Sequence, residues 1–469
     1  MNEDSILAHL PYEPLEGQRR VISSLAAFVA SGSDRDVVLL DGYAGTGKTS
    51  LTGAFVKALA DHKVKTVVLA PTGRAAKVAS RFAAGKAWTI HKRIYRADSP
   101  EPDAGYMPAV NKDRNTVFIV DEASLIGDNR TEGSLLEHLV RHVYSAPGCR
   151  MVLLGDTAQL PPVGQTESAA MSPGRLRRLG LNPWTLRLDT PVRQSRESGI
   201  LYNATLVREA LLDPERKEIP VLEASRFPDM EIVGPAELAD SLAASWSDVG
   251  VEDTLLITRS NKRAGGFNRA VRGLVMMAEE PLERGDRIVI SKNDYYWSRI
   301  NKLGQFVANG DVAVVDWVGN LEKMYGRWFC DAELSFPADD THMNAKIMLK
   351  SLGCDGPSLP RADMEGLYKR IMESVTDKSA GSRIREAVAN PYFNALQAKY
   401  AYCVTCHKAQ GGQWRHVYID MGGIDLESMA AYHGTDPVSV RRDFLRWLYT
   451  ALTRATEKVY LVSPGKMAR

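Results

Sequence analysis

Short, continuously apolar runs that end in polar residues recur along this chain. Val37-Val38-Leu39-Leu40 leads into a glycine-rich turn, a helical stretch from Ser50 to Asp61, and a second run, Thr66-Val67-Val68-Leu69-Ala70. Val117-Phe118-Ile119-Val120 and Met151-Val152-Leu153-Leu154 repeat the pattern. Runs that are apolar at every position predict strands buried on both faces, and helical stretches between them predict parallel pairing. Ligands then belong at the carboxyl ends of the strands, where the polar residues fall. The rhythm restarts at Thr254-Leu255-Leu256-Ile257-Thr258 and closes with Val417-Tyr418-Ile419-Asp420 and Lys458-Val459-Tyr460-Leu461-Val462, which predicts a second α/β domain. Two stretches break it. Residues 92–116 are rich in Pro, Asp and Asn, and residues 316–397 combine short aromatic strands around Trp328 and Phe329 with a Pro-rich, charged part. Both read as insertions.

Composition adds bounds. With 469 residues the chain exceeds what one hydrophobic core usually organises, in keeping with several domains. Hydrophobic residues make up 44% and charged residues 25%, an ordinary soluble balance, and no run approaches the roughly 18 apolar residues of a membrane span. The acidic start, MNEDSILAHL, lacks the basic and apolar regions of an export signal, so a cytoplasmic address and no membrane partner are expected. Five cysteines in so long a chain point to a reducing compartment rather than a disulfide framework. The net charge of +2 means that any nucleic-acid surface must be a local groove.

The strongest chemical signal is Gly42-Tyr43-Ala44-Gly45-Thr46-Gly47-Lys48-Thr49, followed by Ser50, between a predicted strand and a predicted helix. This G-x-x-x-x-G-K-[ST] pattern curls backbone N–H groups around phosphate oxygens at a helix N-terminus. Lys48 supplies a point charge to the outer phosphates, and the Thr49 hydroxyl can ligand Mg²⁺. Asp121 and Glu122 end the Val117–Val120 strand, where Asp121 would hold the Mg²⁺ shell and Glu122 would activate the attacking water. A site that hydrolyses a nucleoside triphosphate with Mg²⁺ follows. What the hydrolysis drives does not.

Further segments bear on that. Leu15-Glu16-Gly17-Gln18-Arg19 precedes the phosphate loop, and Ala70-Pro71-Thr72-Gly73-Arg74-Ala75-Ala76 and Thr89-Ile90-His91 follow it. Leu154-Gly155-Asp156-Thr157-Ala158-Gln159-Leu160-Pro161-Pro162-Val163 and Thr190-Pro191-Val192-Arg193-Gln194 come next. Tyr402-Cys403-Val404-Thr405-Cys406-His407-Lys408-Ala409-Gln410-Gly411 and Tyr449-Thr450-Ala451-Leu452-Thr453-Arg454-Ala455 complete the series. In this order they resemble the motifs of superfamily 1 helicases, within them the RecD-like and phage Dda-like 5′→3′ group. The resemblance covers most of the chain outside 92–116 and 316–397.

It implies an α/β fold of two RecA-like P-loop domains. Domain 1A would comprise 1–91 and 117–190, and domain 2A 191–315 and 398–469. Residues 92–116 would form a small β-hairpin (1B) and 316–397 a larger, SH3-like insertion (2B). Gln18 would read adenine, and Gln159 would contact the γ-phosphate. Arg193 and Arg454 would place guanidinium groups there when the lobes close. Gly411 and Gln413 would lie by the nucleotide, with Gln413 standing where relatives usually carry an acidic ribose partner, which weakens strict ATP selectivity. Pro71, Thr72, His91, Pro161, Pro162, Thr405 and His407 would meet the DNA strand. Asn261 is the best candidate in the basic stretch Arg259 to Arg272, which otherwise reads as a solvated helix face. Gly105-Tyr106-Met107-Pro108 would be the hairpin tip, with Tyr106 and Met107 wedging the duplex junction.

The function implied is a monomeric, ATP-dependent 5′→3′ DNA helicase acting on single strands and forked duplex, with replication or repair proteins as further partners. Alternatives are a regulatory P-loop ATPase that switches a protein assembly, and a RecD-like subunit of a recombination or repair complex. Cys403-Val404-Thr405-Cys406-His407 also matches the haem attachment pattern C-x-x-C-H, but an exported haem protein conflicts with the missing signal, and packing thiols beside a strand are the better reading.

Overall fold

The computed structural model describes residues 1–31, 33–83, 87–95, 109–128, 134–191, 198–213, 215–216, 218–303, 306–338, 340–375, 379–424 and 436–469. Contacts divide the chain into two compact units, Met1–Pro235 with Ala409–Arg469, and Ala236–Lys408. No helix among the described residues is long and apolar enough to cross a membrane.

The first unit contains a six-stranded sheet built from β1 (Asp36–Gly42), β2 (Lys65–Ala70), β3 (Trp88–Thr89), β4 (Thr116–Val120), β5 (Arg150–Gly155) and β6 (Asn182–Leu188). Their order is β3-β2-β4-β5-β1-β6, and every neighbouring pair is parallel. The continuously apolar runs are explained by two cores, one on each face. Val37, Leu39, Phe118, Val120, Met151 and Leu153 enter one, while Val38, Leu40, Val117, Ile119, Val152 and Leu154 enter the other. Alternate residues of a strand point to opposite faces, so a strand covered on both sides must be apolar throughout. β1 lies between β5 and β6, so the glycine-rich turn at its carboxyl end opens inside the sheet rather than at its rim.

The same unit carries a parallel set in which β16 (Ala455–Val462) pairs with both β7 (Met230–Val233) and β15 (Trp414–Asp420). Helix Pro437–Leu452 precedes β16, starting from an Asp436 carboxylate that accepts from the Val438 and Ser439 N–H groups. It packs on helix Gly199–Leu212.

In the second unit β8 (Thr254–Thr258) pairs in parallel with β14 (Cys403–Thr405). Between them in sequence lies an antiparallel sheet of β9 (Arg287–Ile290), β10 (Val312–Met324), β11 (Arg327–Phe336), β12 (Thr341–Met348) and β13 (Ala398–Tyr400), ordered β12-β11-β10-β9-β13. A polar network is sealed beneath it. Arg272 grips Asp286 with two bonds of 2.9 Å, and the Tyr402 hydroxyl donates to the same carboxylate at 2.9 Å. Asn268 fixes the start of β14 by donating to the Cys403 carbonyl and accepting from its N–H, both at 2.8 Å.

Candidate nucleotide site

The turn after β1 has the backbone a phosphate cradle requires. Gly45 and Gly47 take φ values of +74° and +80°, a left-handed conformation that a Cβ would strain. Gly47 is the N-cap of helix Lys48–Asp61 and offers no side chain to its first amides, so those N–H groups point outward for an anion. Thr46 closes the turn through its own hydroxyl on the Tyr43 carbonyl, 2.7 Å, and Thr49 and Ser50 are exposed on the first helical turn.

Lys48 donates to the carbonyls of Gly42 at 3.2 Å and Gly155 at 3.1 Å, which joins the carboxyl ends of β1 and β5. Two guanidinium groups lie against Tyr43, Arg187 at 5.1 Å and Arg208 at 4.5 Å from its ring centre. Gln18 is buried beside the loop and donates to the Thr46 carbonyl at 2.9 Å, while its oxygen accepts from the Leu15 N–H at 3.0 Å. Gln18 thus lies against the phosphate loop.

At the end of β4, Asp121 accepts from the Glu122 N–H at 2.9 Å. Burial, with repulsion from Glu122, pushes the Asp121 carboxyl up to about 6, against the opposing pull of Lys48. Glu122 sits at φ +52°, and one of its oxygens is buried without a hydrogen-bond partner. Arg454 approaches the other at 3.9 Å. Arg454 itself is buried, donating to the Thr450 carbonyl at 3.1 Å and the Gly412 carbonyl at 3.2 Å. Gln159 is also buried, holding Asp156 at 3.3 Å while its own amide oxygen lacks a partner. Two unpartnered acceptors, a carboxyl held up by burial and an uncapped helix start suit a group that brings both positive and negative charge. Mg²⁺ with a nucleoside triphosphate is such a group.

The expected strand-facing residues are distributed over both units. Thr72 caps helix Gly73–Ala79 by accepting from the Ala75 N–H, and His91 lies in helix Ile90–Ile94, where burial holds its imidazole below the ordinary range. Pro71, Pro161 and Pro162 are half-exposed in the first unit. Asn261 begins helix Asn261–Leu274, Thr405 ends β14 and His407 is exposed after it, all in the second unit. Gly411 lies where an added Cβ would be 2.9 Å from the Ala75 Cβ, and Gln413 is exposed. Arg193, Gln194, Tyr106 and Met107 lie outside the described residues. Arg272, at the end of the basic stretch, is committed to Asp286 and serves the fold.

Tyr449, Thr450 and Gln410 carry no individual signal in the sequence. Tyr449 bonds Ala44 and Asp156, Thr450 accepts from the Leu160 N–H at 2.8 Å, and Gln410 donates to the Leu160 carbonyl at 2.7 Å. Each lies in a segment that the motif order had marked, but the pairings join residues up to 405 positions apart, which no local pattern displays.

A family model described as an AAA domain matches residues 16–210. The ATP-dependent RecD2 DNA helicase of Deinococcus radiodurans is 27% identical over 341 residues, covering 69% of this chain and 43% of that protein. The chain thus spans less than half the length of this curated relative. An uncharacterized protein of Acanthamoeba polyphaga mimivirus is 21% identical over 520 residues, covering 94% of this chain and 98% of that protein. Among solved structures, the Pif1 helicase from Bacteroides superposes with a TM-score of 0.48 at 14% identity, covering 96% of this chain and 92% of that one. In the order of its motifs, its phosphate-loop geometry, the AAA-domain match over residues 16–210 and the RecD2 likeness, the chain is similar to superfamily 1 helicases of the RecD-like group.

Proposed function

We propose that the chain is an ATP-driven motor that moves 5′→3′ along single-stranded DNA and separates duplex at a fork. The observation that carries this reading is the convergence of Lys48, Asp121, Glu122, Gln159 and Arg454 around one uncapped helix start, with Arg454 arriving from the last segment of the chain. The likeness to RecD2, described as an ATP-dependent DNA helicase, supports the choice of DNA as track.

In this reading the loop amides from Gly45 to Ser50 and the Lys48 ammonium bind the phosphates, and Gln18 borders the base. Thr49 and Asp121 would hold Mg²⁺, which supplies charge neutralisation of the phosphates when bound. Glu122 takes a proton from the attacking water, and Arg454 and Arg193 stabilise charge that develops on the transferred group. Pro71, Thr72, His91, Pro161, Pro162, Asn261, Thr405 and His407 line the strand, and Tyr106 and Met107 part the duplex. The division into two RecA-like lobes with 92–116 and 316–397 inserted, the SH3-like character of the second insertion, the monomeric state and a cytoplasmic address belong to the same proposal.

Two measurements test it. A single-stranded oligonucleotide should raise ATP turnover sharply, and a forked duplex with a free 5′ tail should be unwound in preference to one with a free 3′ tail. A flat turnover response would favour an ATPase that switches proteins, and preference for the 3′ tail would reverse the direction.

A further inference from the structure

Tyr449, 1% exposed, stands between two parts of the nucleotide site. Its oxygen accepts from the Ala44 N–H in the phosphate loop at 2.9 Å, and its O–H donates to Asp156 Oδ2 at 2.7 Å. Asp156 in turn accepts from the Ala158 N–H at 3.0 Å and from Gln159 Nε2 at 3.3 Å. One residue further along the same helix, Thr450 accepts from the Leu160 N–H at 2.8 Å, while Gln410 takes the Leu160 carbonyl at 2.7 Å. Both backbone polar groups of Leu160 are thus held from the C-terminal segment, immediately before Pro161 and Pro162.

The chemistry of the position requires a phenol. A phenylalanine would fill the same space but take away the acceptor of the Ala44 N–H and the shortest bond to the buried Asp156 carboxylate, leaving Oδ2 only the longer one from Gln159, and a serine or threonine would not span the gap. Bonds to a buried carboxylate are about twice as strong as neutral ones, so the arrangement is stiff. Any shift of the phosphate loop at Ala44 reaches Asp156 through one oxygen atom. Gln159, whose amide oxygen is unpartnered, and the Leu160–Pro162 turn follow.

We propose that Tyr449 is a positioning residue that transmits the state of the phosphate loop to the turn Asp156–Pro162, and thereby couples nucleotide binding to strand binding. This rests on the proposed function and deepens it.

The test compares the wild-type chain with Tyr449→Phe. Affinity for a fluorescent single-stranded oligonucleotide is measured with and without a non-hydrolysable ATP analogue, and strand-stimulated ATP turnover is measured alongside. In the wild type the analogue should change strand affinity. In Tyr449→Phe that change should shrink by about tenfold, the size of one charge-assisted bond, and strand-stimulated kcat should fall while the KM for ATP moves less. Asp156→Asn should reproduce the loss, and the double variant should lose little more, because both act through one bond. A packing role predicts a lower Tm with the coupling intact, and that outcome overturns the proposal. If Tyr449→Phe does not fold, Asp156→Asn decides, and full coupling there also overturns it. A wild-type chain with no strand-stimulated turnover would sink the motor reading and this one together. Full coupling in Tyr449→Phe beside a stimulated wild type sinks this one alone.

Discussion

At the scale of single residues, Lys48 holds two carbonyls at the ends of β1 and β5 and must release them to reach a phosphate. Lys48→Ala should lower ATP turnover by on the order of 10² or more while far-ultraviolet circular dichroism stays unchanged, because the residue caps a loop rather than a core. Near-normal turnover would refute the site. Arg454→Ala should reduce kcat by on the order of 10³ to 10⁵ with a smaller change in ATP affinity, since the guanidinium lies at the carboxylate assigned to water activation. Arg454 is also buried against Thr450 and Gly412, so Arg454→Lys serves as a control that keeps charge but loses the fork. Lys48, Asp121 and Glu122 were legible because each sits in a local pattern at a strand end. Tyr449 and Gln410 were not, because what defines them is a partner 405 or 250 residues away.

At the scale of elements, legibility followed burial. β1, β2, β4 and β5 are covered on both faces and read as unbroken apolar runs. β6 escaped notice because it is an edge strand with most positions partly or fully exposed, so its sequence, NPWTLRL, mixes polar and apolar residues without a clear period. β9 and β13 are short and flank the stretch 316–397, yet they hydrogen-bond into one antiparallel sheet with β10 to β12. No composition change marks such strands. The Arg272–Asp286 pair shows the reverse difficulty, since an arginine in a basic helix looks solvated until its partner is seen. Arg272→Met would strand a buried carboxylate beside Tyr402 and should lower stability by about 3–5 kcal/mol, read as a shifted midpoint in urea unfolding. A midpoint unchanged from wild type would mean that the network is bystander to the fold.

For the whole molecule, a net charge of +2 cannot hold a polyanion by bulk attraction, so the proposed motor would draw its strand affinity from a local groove. The logarithm of the dissociation constant for a single strand should then rise linearly with the logarithm of salt, by roughly 0.7 per phosphate contacted. A salt-independent constant would contradict such a groove. The first unit is assembled from sequence-distant pieces, and this bears on how the chain is made as well as on how it works. β7 is paired by β16, and the Ala224 and Ser225 N–H groups are taken up by the carbonyl of Arg469. Ribosomes add about 5–20 residues per second, so β7 emerges on the order of tens of seconds before the strand that covers its edge. During that interval the nascent chain carries an open strand edge, the kind of surface that invites wrong pairing. Translation rate through the intervening second unit therefore sets how long the molecule is vulnerable, and pauses placed there should raise its dependence on chaperones.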